Sequence, residues 1–204
     1  MSDLYIAPDG KARCTWCSAT DEYLRYHDEE WGFPVGDDQR LFEKLCLESF
    51  QSGLSWRTIL EKRENFRAAF AQFDFNKMAE FDDQDIQRLL QNAGIVRHRG
   101  KIVAVINNAK RAQELVQNEG SLAAYFWKFE PDPADLPAPQ TQSKSDISAA
   151  ISKELKKMGW KFVGPTTIYS FMQAMGMIND HLEGCETREI VHQARLVFKR
   201  PKSA

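Results

Sequence analysis

The sequence lacks the features that mark membrane and secreted proteins. Among its 204 residues there is no run of about 18 apolar residues, and the polar start Met1-Ser2-Asp3 does not resemble a signal peptide. Cysteine is scarce: there are four, and without a secretory signal we expect thiols or metal ligands and not disulfides. We therefore expect a cytoplasmic monomer with no membrane partner.

An excess of positive charge is also absent. The net charge is −2 and the pI is about 6.1, so overall charge gives no indication of nucleic-acid binding. Binding to DNA would need local basic patches. Two candidates exist, one at residues 97–101 and one at residues 153–161. Each has a simpler explanation as a solvated helix face.

Signals of sheet-rich and nucleotide-binding proteins are missing as well. The sequence contains no internal repeat and no glycine-rich nucleotide fingerprint, so we expect no nucleotide cofactor. Apolar residues between positions 20 and 94 recur at helical spacing without strand alternation. The longest amphipathic pattern runs from Ile102 to Val116 and ends at Gly120. With 43% hydrophobic residues the chain can bury one core, and we predict an all-α fold.

One segment has the high proline content and low hydrophobicity of a linker. It covers residues 130–144, and we interpret it as a surface crossing and not as a domain boundary. We therefore predict a single domain of two lobes over residues 13–187. A loose arm, residues 1–12, would precede it. A helical tail, residues 188–204, would follow, because apolar residues recur there at helical spacing.

A glycine-bent hairpin joins two predicted helices late in the chain. The first helix starts at Ser145 or Asp146, either of which can cap it, and ends at Gly159. The second starts at Pro165, where a missing N–H is tolerated, after a sharp turn at Gly164. The sequence thus predicts two helices connected by a tight bend with a glycine at each end.

The bend between these helices is a candidate anion site. Phe162 and Val163 are expected to point into the protein, which leaves backbone N–H groups around Gly164 at the positive end of the second helix. Such groups can hold a DNA phosphate without reading base sequence. We assign DNA contacts to Lys161, Val163, Gly164 and Thr166. The alternative is an ordinary helix–helix connection with glycine caps.

Two pairs of potential metal ligands lie at opposite ends of the chain. Cys14 and His27 form one pair; His181 and Cys185, about one helical turn apart, form the other. Two thiolates and two imidazoles suit a closed tetrahedral zinc site, which would be structural because no position remains for water. It would join the N-terminal and C-terminal segments. Spacing alone leaves two alternatives: buried cysteines that bind nothing, and a ligand set that includes Cys17.

Aromatic residues cluster around one acidic residue in the first quarter of the chain. Glu48 lies beside the apolar stripe of a predicted helix. The aromatic residues are Trp16, Tyr23, Tyr26, Trp31 and Trp56. Aromatic faces attract cations and stack on bases, and a carboxylate accepts hydrogen bonds from an exocyclic amine, so a planar cationic ligand would fit. The alternative is that the rings fill the core and Glu48 reaches its rim.

A glycine-containing turn, residues 51–56, joins two of the predicted helices. Gly53 and Leu54 are candidates for a wedge against stacked DNA bases. The simpler alternative is a plain interhelical turn.

Five motifs together resemble the 3-methyladenine DNA glycosylase I family. They are YHDEEWG (26–32), LESFQSGLSW (47–56), GIVRHRGKI (94–102), KFVGPTT (161–167) and NDH (179–181). The similarity covers about residues 13–185, and the motifs stand in the family's order. Agreement of five ordered motifs is far more specific than any one of them.

The resemblance implies a helix-hairpin-helix DNA glycosylase fold and a hydrolase that removes 3-methyladenine from alkylated double-stranded DNA. It implies zinc on Cys14, His27, His181 and Cys185. It also implies a base pocket at Glu48, Tyr26 and Trp56, with Trp16 and Tyr23 nearby, and Glu48 as the catalytic residue. Superfamily members that also cut the strand carry a lysine just past the second hairpin glycine. Pro165 and Thr166 stand there instead, so we expect no lyase activity.

An alternative function of a different class uses the same features without catalysis. In this alternative the chain is a DNA-binding module, or an interaction module whose segments are joined by zinc. Glu48 among aromatic residues favours the enzyme, because phosphate binding alone gives that acid no role.

Overall fold

The computed structural model of the chain describes residues 4–202, and this part is mostly helical. Its α-helices are α1 (Asp21–Glu29), α2 (Asp38–Gln51), α3 (Trp56–Glu61), α4 (Arg63–Ala69), α5 (Phe75–Met78), α6 (Asp83–Gln91), α7 (Arg99–Glu119), α8 (Leu122–Trp127), α9 (Asp146–Lys157), α10 (Pro165–Ala174) and α11 (Glu186–Val197). Short 3-10 helices cover Thr15–Ala19, Ala71–Phe73 and Pro133–Asp135. The prediction of a helical fold is confirmed.

Helix starts are fixed by side chains that cap them. Asp37 caps α2, Ser55 caps α3, and Ser145 caps α9 in a reciprocal capping box with Ser148. These caps pair N–H groups that the first turn of a helix leaves unsatisfied. The start predicted for α9 at Ser145 is confirmed.

The core forms around α2, whose residues from Leu41 to Phe50 are all buried. Helix α10 packs against α2 and α9, and α7 packs against α2, α5 and α8. The long helix predicted to end at Gly120 is α7, and Gly120 has the left-handed φ of +85°. Because α2 is surrounded on all sides, its polar residues Glu43, Lys44 and Glu48 are buried too, and each needs a compensating partner.

The N-terminal segment differs from the loose arm predicted for residues 1–12. Residues 1–3 lie outside the described part, but strand β1 (Leu4–Ile6) pairs antiparallel with β2 (Ala12–Cys14). Buried Arg13 holds this hairpin by donating to Asp9 and Asp28. Strands of three residues are too short for alternation to be visible in a sequence.

The bend between α9 and α10 differs in detail from its prediction. Gly159 has a left-handed φ of +85° at the end of α9, whereas Gly164 has an ordinary φ of −66° and the second left-handed residue of the bend is Phe162, with φ of +54°. Val163 is buried as expected, whereas Phe162 is 40% exposed, so the inward orientation predicted for Phe162 is wrong. The carbonyl groups turn inward instead: Ser49 Oγ donates to the Phe162 oxygen and Ser152 Oγ to the Val163 oxygen.

The predicted crossing and tail both pack on the helical body. Gln140 in the crossing donates from Nε2 to Cys14 Sγ at 3.2 Å. Helix α11 begins before residue 188, and its Val191 and Arg195 are buried. Arg195 donates to Glu130 at the start of the crossing. Across residues 4–202, each helix is too short or too polar to cross a membrane.

Candidate base pocket and metal cluster

A cavity of about 150 Å³ lies where the N-terminal helices meet α10. Its lining residues are Trp16, Tyr23, Tyr26, Trp31, Glu48, Gln51, Trp56, Ser170 and Gln173. All five residues assigned to base binding from the sequence therefore share one cavity. Its volume suits a single planar heterocycle and not a larger ligand.

The rings in this cavity contact one another edge to face or at a tilt. Trp16 lies perpendicular to Tyr23 and Trp31, with ring centres 5.2 and 5.1 Å away. Tyr26 and Trp56 are tilted at 47° with centres 5.4 Å apart. Edge-to-face packing of this kind stabilises the cluster. The cavity is thus walled by electron-rich faces that attract a cation.

Glu48 is the acidic group of the cavity. It is 5% exposed, and its Oε2 is buried without a hydrogen-bond partner among residues 4–202. Burial raises the pKa of Glu48 to about 8, although the Lys44 ammonium acts in the opposite direction. A buried, unpaired carboxyl oxygen in a ligand-sized cavity is an acceptor ready for a donor on the ligand.

Lys44 lies one helical turn before Glu48 on α2 and was not assigned a role from the sequence. It is buried, and its Nζ lies 5.9 Å from the ring centre of Tyr26. Burial lowers the pKa of Lys44 to about 8, while the charge of Glu30 opposes that change. The available signal was a lysine inside the apolar stripe of α2.

Three polar wall residues were also missed, namely Gln51, Ser170 and Gln173. Ser170 and Gln173 are one turn apart on α10, so they present one face to the cavity. Polar residues at helical spacing within the otherwise apolar α10 were the signal that could have identified them.

Three of the four predicted metal ligands form a buried cluster. The ligand atoms of Cys14, His27 and Cys185 lie within 4.8 Å of one another. Asp28 holds Nδ1 of His27 at 2.8 Å, which leaves Nε2 facing Cys185 Sγ at 3.5 Å. A carboxylate behind a histidine is the usual support of a metal-binding imidazole. These residues could hold a metal ion.

The two cysteines of the cluster are chemically suited to a cation. A hydrogen bond between them raises the pKa of the Cys14 thiol and lowers the pKa of the Cys185 thiol, and a thiolate is the form of cysteine that binds a metal. The side-chain amide of Gln140 and the backbone N–H of Leu182 both donate to Cys14 Sγ, and these bonds favour its thiolate form. Cys17 instead donates to the Cys14 carbonyl oxygen at 3.0 Å.

His181 stands beside the cluster without joining its three ligand atoms. Its ring centre is 4.8 Å from that of His27. Asn179 holds its Nδ1 at 2.9 Å, and its Nε2 lies 3.5 Å from the His27 carbonyl oxygen. Burial lowers the pKa of His181 to about 4, so the imidazole stays in the neutral form that binds metals.

The bend between α9 and α10 has exposed side chains and open space at the start of α10. Asn108 on α7 pairs with both the N–H and the carbonyl of Lys161, at 2.8 and 2.9 Å. The Lys161 and Thr166 side chains are exposed. Gly164 caps α10 without a side chain, and open space surrounds the position where its Cβ would lie. An anion can therefore approach the start of α10.

The turn between α2 and α3 is the second exposed feature. Gly53 has a left-handed φ of +78° with open space around it, and the Leu54 side chain is exposed. Lys101 Nζ donates to the carbonyl oxygen of Phe50 at 2.9 Å and also to that of Ser52. A buried lysine thus fixes the end of α2 and holds the tip of the turn outward.

Comparison with known proteins gives consistent matches over nearly the same residues. Residues 16–189 match the sequence model described as methyladenine glycosylase. The DNA-3-methyladenine glycosylase 1 of Escherichia coli (strain K12) is 49% identical over 177 residues, covering 85% of this chain and 95% of that protein.

Solved structures agree with the sequence matches. The structure of 3-methyladenine DNA glycosylase I from Staphylococcus aureus, described as the basis of 3-methyladenine recognition, superposes with a TM-score of 0.82 at 38% identity, covering 86% of this chain and 96% of the other. A tyrosine-to-phenylalanine variant of 3-methyladenine DNA glycosylase I in complex with 3-methyladenine gives a TM-score of 0.80 at 35% identity, covering 94% of this chain and 99% of the other.

Proposed function

The chain belongs to the methyladenine glycosylase family, and we propose that it excises 3-methyladenine from alkylated double-stranded DNA by hydrolysing the bond between the base and deoxyribose. The product would be an abasic site. The observation that carries this proposal is the buried, unpaired Oε2 of Glu48 in a base-sized aromatic cavity. A base reaches such a cavity only when it is flipped out of the duplex.

The chemistry explains why the cavity needs few reacting groups. A 3-methylated adenine in DNA carries positive charge, so it leaves as a neutral base without a strong general acid. The rings of Tyr26 and Trp56 favour the cation, and Glu48 accepts a hydrogen bond from its amine. A normal adenine is neutral and gains less from these contacts. Selecting the cation therefore contributes directly to catalysis.

Glu48 is the catalytic residue of this proposal. Its carboxylate faces the flipped nucleotide and can stabilise positive charge that develops on the sugar as the bond breaks. The residue is held in place because α2 is buried around its whole circumference. Water then attacks the sugar. Since Pro165 and Thr166 stand where a lysine would form a covalent intermediate, the enzyme is monofunctional.

DNA contacts come from the two exposed turns, in a fold of the helix-hairpin-helix type. At the bend before α10, Lys161 and the N–H groups of Gly164 and Thr166 hold a phosphate, while buried Val163 anchors the bend. Gly53 and Leu54, on the turn after α2, wedge into the base stack. The inward-turned carbonyls of the bend support this assignment, because they leave N–H groups outward.

Zinc would be held by Cys14, His27, His181 and Cys185. The ion would be structural: four protein ligands leave no position for substrate or water. Its contribution would be to join the segment around β2 and α1 to the segment before α11. The close approach of Cys14, His27 and Cys185, the hydrogen bonds that orient the two imidazoles and the neutral form of His181 support this set.

The organisation proposed for the whole protein is a cytoplasmic monomer. Its glycosylase domain, residues 13–187, would form two lobes without a nucleotide cofactor. The tail at residues 188–204 would support the metal cluster, since α11 begins directly after Cys185.

The test is release of 3-methyladenine from methylated duplex DNA by wild type and by Glu48→Gln. We expect release by wild type and a loss of about a hundredfold in the variant, because removing a charged hydrogen-bond partner at the site costs roughly 3 kcal/mol. Binding to undamaged duplex should be unchanged. If wild type binds duplex DNA but releases no base, the non-catalytic module is the better description.

A further inference from the structure

Gln173 lines the base cavity from α10, whereas Glu48 lines it from α2. Its amide Nε2 donates to Asp180 Oδ2 at 2.6 Å. The nitrogen of this amide therefore faces Asp180, and its oxygen faces away from it. Within residues 4–202, Oε1 of Gln173 accepts no hydrogen bond. The cavity therefore has a second acceptor beside Glu48.

The orientation of this amide is held by a chain of contacts. Asp180 is buried, and its Oδ1 accepts the backbone N–H of Gln140 at 2.9 Å. With an N–H donor on each oxygen, the acid is fixed as an acceptor. The backbone carbonyl of Gln173 accepts the N–H of Gly32 at 3.1 Å, next to the wall residue Trp31. Hydrogen bonds thus hold both the side chain and the backbone of Gln173 in place.

We propose that Gln173 is a specificity-determining residue: its Oε1 accepts one N–H of the exocyclic amine while Glu48 accepts the other, and Asp180 is the positioning residue that holds the amide in this orientation. This inference rests on the proposed function. An amine has two N–H donors and satisfies two acceptors. A base that carries a carbonyl at the same position would place its oxygen against both acceptors, which disfavours it.

The test compares two free bases, 3-methyladenine and 3-methylhypoxanthine, in which a carbonyl replaces the amine and a ring nitrogen gains a proton. Quenching of tryptophan fluorescence reports binding, because three tryptophans line the cavity. Wild type should prefer 3-methyladenine. In Gln173→Met, which keeps the side-chain length, this preference should fall by about tenfold, the loss expected for one hydrogen bond. Gln173→Ala should show the same loss.

Gln142→Met is the matched control, since Gln142 is exposed on the crossing, and it should keep the wild-type preference. Asp180→Asn should lower the preference as Gln173→Met does, and it should add nothing in the double variant, because Asp180 acts through Gln173. Equal weakening of both bases in Gln173→Met, or an unchanged preference, would overturn the inference. Wild type that binds neither base would overturn the proposed function itself.

Discussion

The indole of Trp31 and the imidazole of His181 lie edge to face, with ring centres 4.6 Å apart at 67°. Trp16 makes a similar contact with His27 at 5.3 Å. Two walls of the cavity therefore rest directly on His27, which belongs to the metal cluster, and on His181 beside it. A group that fixes the positions of these histidines therefore also fixes the positions of the aromatic walls.

Removing one cysteine should consequently affect metal content, stability and base binding together. We expect about one zinc ion per chain, lost in Cys185→Ser, with a lower Tm and weaker binding of 3-methyladenine. The reason is that the ion joins the segments that carry Trp16 and Trp31. Elemental analysis, thermal unfolding and base titration measure the three effects. Cys17→Ser is the control, because its thiol points at a carbonyl; zinc loss in that variant instead would contradict the ligand set.

The rate of excision should depend on the ionisation of Glu48. Burial raises the pKa of this acid to about 8 in the free enzyme, so below pH 8 most molecules carry the neutral form. Only the carboxylate pairs with a cationic base. We expect kcat/KM to rise with pH up to about 8 and then level off, since kcat/KM reports the free enzyme. A profile that is flat between about pH 6 and 9 would show that Glu48 ionisation is not needed.

Replacing Lys44 should move that profile. The Lys44 ammonium favours the Glu48 carboxylate, so in Lys44→Met the pKa of Glu48 should rise and the profile should shift toward alkaline pH. Measurement of kcat/KM against pH checks the shift. Lys153→Met on the exposed face of α9 is the control and should leave the profile in place. An unchanged profile in Lys44→Met would show that the charge of Lys44 does not affect the ionisation of Glu48.

The same substitution should stabilise the fold. Burial lowers the pKa of Lys44 from an ordinary 10.5 to about 8. The unfolded chain therefore binds this proton more tightly, and the folded state is penalised increasingly as pH falls from about 10.5 to 8, and fully below that. Lys44→Met removes the penalty, so its Tm at about pH 7 should exceed that of wild type. The difference should shrink above about pH 10, and a lower Tm at neutral pH would contradict this account.

The bend before α10 should depend on Asn108. This buried side chain pairs with both backbone groups of Lys161, and Asn108→Ala would leave them unpaired. We expect a loss of about 2 kcal/mol in the free energy of unfolding, together with weaker duplex binding at fixed salt, because the N–H groups proposed to bind phosphate lose their support. Asn118→Ala, exposed on the same helix, should change neither. Full duplex affinity in Asn108→Ala would argue against DNA contact at this bend.

Much of the helical architecture follows from the sequence, because its signals are local. Asp37, Ser55 and Ser145 cap helices through hydrogen bonds to residues three positions away, and apolar residues repeat with the helical period. Those interactions span one turn, so a short window of sequence contains all of their partners. The same holds for the clustering of aromatic residues near Glu48, which lie close together in the first part of the chain.

Other features were decided only by the tertiary structure. Gln173 forms a hydrogen bond with Asp180, which lies beyond the end of its helix. Asn108 forms hydrogen bonds with Lys161, 53 residues away. Lys44 is buried because other helices cover all sides of α2. The outward turn of Phe162 depends on Ser49, which is 113 residues away. Such contacts follow no period along the chain and are set by how the helices pack. The aromatic residues and the acid that line the cavity could therefore be identified in the sequence, but its other polar residues, and the orientation and ionisation of its polar groups, came from the fold.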